Sequence, residues 1–135
     1  MAEHFGWDAR LKNKNGTMLS LYGDKDKRFY DLLGYIRSGW TPIIGILTDG
    51  GRITLEGGST PHWVAVVGIG YSYSKWIDIF NPYNDRVTRY SWDDFFKVLS
   101  LPWNDSANTG TYNHNQMILI KPPSPRINNS HPIPI

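Results

Sequence analysis

The chain has no cysteine among its 135 residues. That excludes disulfides, thiolate metal centres and a sulfur nucleophile of its own, and it assigns no compartment, since both reducing and oxidising surroundings tolerate a cysteine-free chain. Long apolar runs are missing too. None approaches the roughly 18–20 residues that span a bilayer, and the start, Met1 to Trp7, lacks a basic segment followed by an apolar one. No membrane partner and no address are expected. Charge is sparse, at 19% of residues with a net +2, and Lys and Arg are scattered outside the mixed run Asp24 to Arg28. Without a basic stripe, no nucleic-acid partner is expected. His4, His114 and His131 stand in irregular polar surroundings without metal-ligand spacing, so no metal and no cofactor are expected.

What is present is a sequence able to fold. Hydrophobic residues make up 40% of it, and a chain of this size buries roughly two-thirds of its unfolded surface. A single domain over residues 1–121 is expected. The remainder, 122–135, is too rich in proline for helix or central strand and is expected to be an extended tail. Asn-x-Ser/Thr triplets at Asn15, Asn104 and Asn128 are ascribed to chance in a chain rich in asparagine.

Along the chain, residues 1–23 show no sustained period and predict an irregular arm with a short strand over 17–22. Phe29, Leu32, Leu33 and Ile36 then fall at i, i+3, i+4 and i+7. They predict a helix over 25–38, capped by Asp24 and stopped at Gly39. The run Ile43 to Leu47 predicts a buried strand, and the glycine-rich stretches Asp49 to Gly51 and Glu56 to Pro61 predict a mobile loop or ragged hairpin. Residues 62–69 and 76–80 predict a hairpin, 86–90 a third strand, and 116–121 a closing strand. Ser91 caps a predicted helix over 92–100, with Trp92, Phe95, Phe96 and Leu99 as its buried face. The expected fold class is α+β, an antiparallel sheet of four to six strands with two helices.

Chemistry gathers at His62 and Asn81. If the hairpin turn is centred near Ser72 and Tyr73, position 64 lies opposite 81. His62, two residues further along the same face, then becomes a diagonal neighbour of Asn81, about 7–8 Å away at the backbone. A one-residue slip turns the two to opposite faces. A histidine held by an Asn or Asp side chain is the base-plus-orienter pair of thiol and serine hydrolases. Taken singly, His62 is an ordinary structural histidine and Asn81 an ordinary turn former before Pro82; together they are the candidate catalytic residues. Trp63, Trp76, Trp92 and Trp103 are expected to be core rather than a ligand groove, and Asp78 is assigned no role.

Four motifs in order carry a family resemblance: Gly39-Trp-Thr-Pro-Ile-Ile-Gly-Ile46, His62-Trp-Val-Ala-Val-Val-Gly68, Ile79-Phe-Asn-Pro-Tyr83 and Tyr90-Ser-Trp-Asp-Asp-Phe95. Over roughly residues 30–100 the chain resembles the C-terminal, sheet-bearing half of papain-like cysteine peptidases, nearest the bacterial subgroup related to bacteriocin-leader-processing peptidases. The resemblance implies peptide-bond hydrolysis, with His62 as general base and Asn81 as its orienter. It also implies a nucleophilic cysteine heading an upstream helix, which this chain does not contain. Three expectations follow. The chain lacks an N-terminal Cys-bearing part supplied elsewhere, it is a degenerate module that binds a peptide or protein, or a hydroxyl such as Ser59 or Thr60 replaces the thiol. Under the first, a homodimer or partner chain is expected to cover the missing half. An unrelated β-domain whose tail docks on a partner is a further class.

Overall fold

The computed structural model describes residues 8–12, 16, 18–100 and 114–122. The fold is α+β, a seven-stranded antiparallel sheet with two helices. In chain order come β1 (Asp8–Arg10), β2 (Ser20–Tyr22), α1 (Lys25–Arg37), β3 (Thr41–Thr48), β4 (Thr60–Tyr71), β5 (Lys75–Asn81), β6 (Arg86–Ser91), α2 (Trp92–Leu99) and β7 (His114–Lys121). The sheet order is β1-β7-β3-β4-β5-β6, and β2 also pairs with β7. The expectation of four to six strands falls short by one, β1, three residues held by pairing with β7, whereas β2 lies within the short strand expected over 17–22.

Both helices begin where their caps predict. Asp24 Oδ1 accepts the Lys27 N–H at 2.7 Å, and Ser91 Oγ accepts the Asp94 N–H at 3.1 Å. Each bond satisfies an amide that the first helical turn leaves without a partner. α1 stops at Gly39, whose φ of +88° is unfavourable for a side-chain-bearing residue. In α2 the buried residues are Trp92, Phe95, Val98 and Leu99. Phe96, expected among them, is only partly buried, with the Arg28 guanidinium 5.6 Å from its ring centroid.

The two helices pack on one face of the sheet. Phe29, Leu32 and Leu33 of α1 and the buried face of α2 meet Ile44 and Ile46 of β3, Val64, Val66 and Ile69 of β4, Ile77 and Ile79 of β5, and Met117 and Leu119 of β7. Arg28 is buried among them, 2% exposed, and ties three elements together. Its guanidinium donates to Gly23 O, Leu99 O and Asn115 Oδ1, and burial holds its pKa below the ordinary value.

The register of β4 against β5 is what positions the site. Ala65 pairs with Phe80 and Val66 with Ile79, which places position 64 opposite 81, as the sequence predicts. The route differs from the expected one. Near the turn Tyr71 pairs with Lys75 and Gly68 with Asp78, so the turn is centred on Tyr73, and an extra residue, Val67, sits between the two registers as a β-bulge. Continued without that bulge, the ladder would put Ala65 opposite Asn81 and Trp63, not His62, on Asn81's face. Because a strand alternates with period two, the bulge also switches which residues face the helices, from Val64 and Val66 before it to Ile69 after it.

Among the described residues, no helix is long and apolar enough to cross a membrane. Trp103, His4, His131, the three Asn-x-Ser/Thr asparagines and residues 123–135 of the expected tail lie outside the described residues.

Candidate functional site

His62 stands near the start of β4 and Asn81 at the end of β5. They share the helix-bearing face at the end of the sheet where β3 also terminates, with Ile46 of β3 paired to His62. The structure brings the two side chains together: His62 Nε2 lies 2.7 Å from Asn81 Oδ1. That is the short end of the N–H···O range. Asn81 is 6% exposed and His62 is half-buried.

The surroundings of Asn81 settle the proton positions by elimination. Its Nδ2 lies 2.9 Å from Gly51 O, which can only accept, so the atom facing it is the amide nitrogen. Its Oδ1 takes the Tyr83 N–H at 3.0 Å, which can only donate, so that atom is the oxygen. The amide orientation is fixed twice over. An amide oxygen carries no proton, so the hydrogen between Oδ1 and His62 belongs to Nε2. In the neutral imidazole the lone pair then sits on Nδ1. A ring so held presents one basic nitrogen in one direction, which is what a general base requires.

Asn81 makes a turn and also reaches the histidine. The bond from Tyr83 N–H to its side chain makes a local turn of the kind asparagine favours, and its backbone oxygen accepts from Asp85 N–H at 2.9 Å to close the reversal into β6. The same side-chain oxygen lies against His62 Nε2.

The loop between β3 and β4, expected to be mobile or ragged, is tied down at its base. Asp49 and Arg52 exchange two backbone hydrogen bonds, and Gly50 and Gly51 both adopt positive φ, +61° and +103°. Gly51 was not legible as a site residue, although its carbonyl holds Asn81. The available signal was the Gly50-Gly51 doublet directly after a strand, which marks backbone that only glycine adopts without strain.

The hydroxyls considered as replacements for a thiol do not engage the histidine. Thr60 Oγ1 accepts the Gly50 N–H at 3.3 Å. Ser59 is exposed, and among the described residues no hydroxyl is hydrogen-bonded to His62. Asp78 lies on the other face of β5, where both of its oxygens accept from Arg89, at 2.8 and 3.0 Å. The Arg89 guanidinium in turn stacks 3.8 Å from the centroid of Trp76. Trp63, expected in the core, is 36% exposed because it alternates with His62 onto that outer face, whereas Trp92 is 1% exposed and is core. Compared with protein-family models, with curated proteins and with solved structures, the chain matches none.

Proposed function

We propose that this chain is a cysteine-peptidase-like module, carrying the base and orienter of a hydrolytic site but not its nucleophile. The observation that supports this reading is the 2.7 Å bond from His62 Nε2–H to Asn81 Oδ1, with both protons of the Asn81 amide group placed away from the ring. In hydrolases of this kind the ring's free nitrogen takes the proton of a thiol or hydroxyl as it attacks the scissile carbonyl, then returns it to the leaving amine. His62 Nδ1 is the atom left to do so. With no cysteine anywhere in the sequence, this chain has no thiol mechanism of its own. A thiol brought by another segment or a partner chain completes the site.

The second reading is a non-catalytic papain-like module that binds a peptide or protein. The missing nucleophile favours it. Two experiments on the purified chain decide. A covalent thiol-peptidase probe leaves the chain unlabelled and fluorogenic peptides are not cleaved; labelling or cleavage overturns the account of its inertness. Diethyl pyrocarbonate modifies His62, because its unprotonated nitrogen is free to react, and His62→Gln loses that modification. Peptide binding that His62→Gln leaves unchanged would place the binding locus elsewhere and leave only the non-catalytic reading.

A further inference from the structure

Thr48 ends β3, is fully buried, and uses its hydroxyl twice. Oγ1 donates to Thr60 O at 2.9 Å and accepts the Gly51 N–H at 3.0 Å. Thr60 is two residues before His62 on β4, and Gly51 is the residue whose carbonyl accepts from Asn81 Nδ2. The contacts therefore close a ring: His62 to Asn81, Asn81 to Gly51, Gly51 to Thr48, Thr48 to Thr60, and Thr60 back to His62 along the strand. A second, longer link runs beside it, from Gly50 N–H to Thr60 Oγ1 at 3.3 Å. The Thr48 hydroxyl is the buried link, bonded both to the strand that carries the histidine and, at Gly51, to the residue that holds the asparagine.

We infer that Thr48 is a positioning residue for His62, fixing the distance between the imidazole and the asparagine that orients it. This rests on the reading of His62 and Asn81 as a working base and orienter. A hydroxyl is needed for the task because one fully buried atom must both donate and accept; valine has the same shape and can do neither. Serine supplies the hydroxyl without the methyl group. A purely structural role for Thr48 would follow its packing, so valine would be the milder replacement. A positioning role follows the hydroxyl.

The test reads the exchange of the His62 Nε2–H proton with water by NMR in the intact chain. In Thr48→Val that exchange becomes roughly tenfold faster, the order expected when two hydrogen bonds of a closed network are lost. In Thr48→Ser it stays within about twofold of the unsubstituted chain. A folded Thr48→Val with unchanged exchange overturns the inference, as does a Thr48→Ser that behaves like valine. Should the valine variant not fold, the unsubstituted chain is measured in low denaturant, where the Gly51 N–H and His62 Nε2–H are expected to open together; independent opening overturns the inference. The readout needs no turnover. Failure of the peptidase-like reading appears as peptide binding that His62→Gln leaves unchanged, and leaves this comparison intact.

Discussion

Gly51→Val lowers the stability of the domain by about 3–5 kcal/mol, a large share of the roughly 5–15 kcal/mol that holds such a domain folded. Three costs contribute. Gly51 has φ +103°, where a β-branched residue is strained by about 1–3 kcal/mol. A Cβ at Gly51 would stand 2.6 Å from Tyr83 Cδ1 and 3.0 Å from Cγ, both ring atoms, so the aromatic ring or the loop must move, at about 1–3 kcal/mol. Once the loop moves, Asn81 Nδ2, on a residue 6% exposed, loses its acceptor at about 1–3 kcal/mol more. The costs share one relaxation and do not sum in full. Urea denaturation checks the value. The midpoint falls while the slope is unchanged, because the folded state exposes no new surface until it unfolds. Gly50→Ala is the control. Its φ of +61° makes it strained, but nothing lies within 4 Å of the added Cβ, so the loss is about 1 kcal/mol.

Asn81→Leu costs about 2–4 kcal/mol and releases the imidazole. Leucine matches the volume but abandons three groups at once: Gly51 O, Tyr83 N–H and His62 Nε2–H. Each is left to find water at the buried end of the sheet or go unpaired. An aspartate is a different change. It keeps the acceptors for His62 and Tyr83, but sets its second oxygen against the Gly51 carbonyl, acceptor facing acceptor. The carbonyl of Gly51 therefore dictates an amide at position 81 rather than a carboxylate. Thermal or urea unfolding gives the stability loss. Diethyl pyrocarbonate then modifies His62 at either ring nitrogen in Asn81→Leu, because neither is reserved by a partner.

The helices were legible because local rules agree there. The stripe Phe29, Leu32, Leu33 and Ile36, the Asp24 cap and the Gly39 stop all specify the same segment, and α1 spans Lys25–Arg37. The central strands were legible as apolar, β-branched runs between turns. β1 was not, because three residues, Asp8–Arg10, carry no period, and what makes them a strand is pairing with β7 more than a hundred positions later. Trp63 illustrates the limit of residue type as a guide: tryptophan is usually core, but alternation beside His62 carries this one outwards.

The site was half legible. His62 and Asn81 could be named from their types, from their places near the start of one strand and at the end of the next, and from hairpin counting. Yet the counting reached the right register from a turn centred half a residue early, a one-residue difference in pairing that Val67 makes up. No local signal distinguishes a bulge within Val64-Ala-Val-Val-Gly68, where every residue suits a buried strand. Gly51 and Thr48 were hidden for another reason. Their contribution is a carbonyl and a hydroxyl directed at residues 30 and 12 positions away, and neither backbone carbonyls nor single threonines mark themselves in a sequence.

The nitrogen-15 spectrum of the His62 ring, recorded where the imidazole is neutral, bears most directly on all of this. A single tautomer with the proton on Nε2, slow to exchange with water and with a bare Nδ1, is the expected result. A ring protonated on Nδ1, or one averaging between both forms as a free imidazole does, would mean that Asn81 does not orient His62.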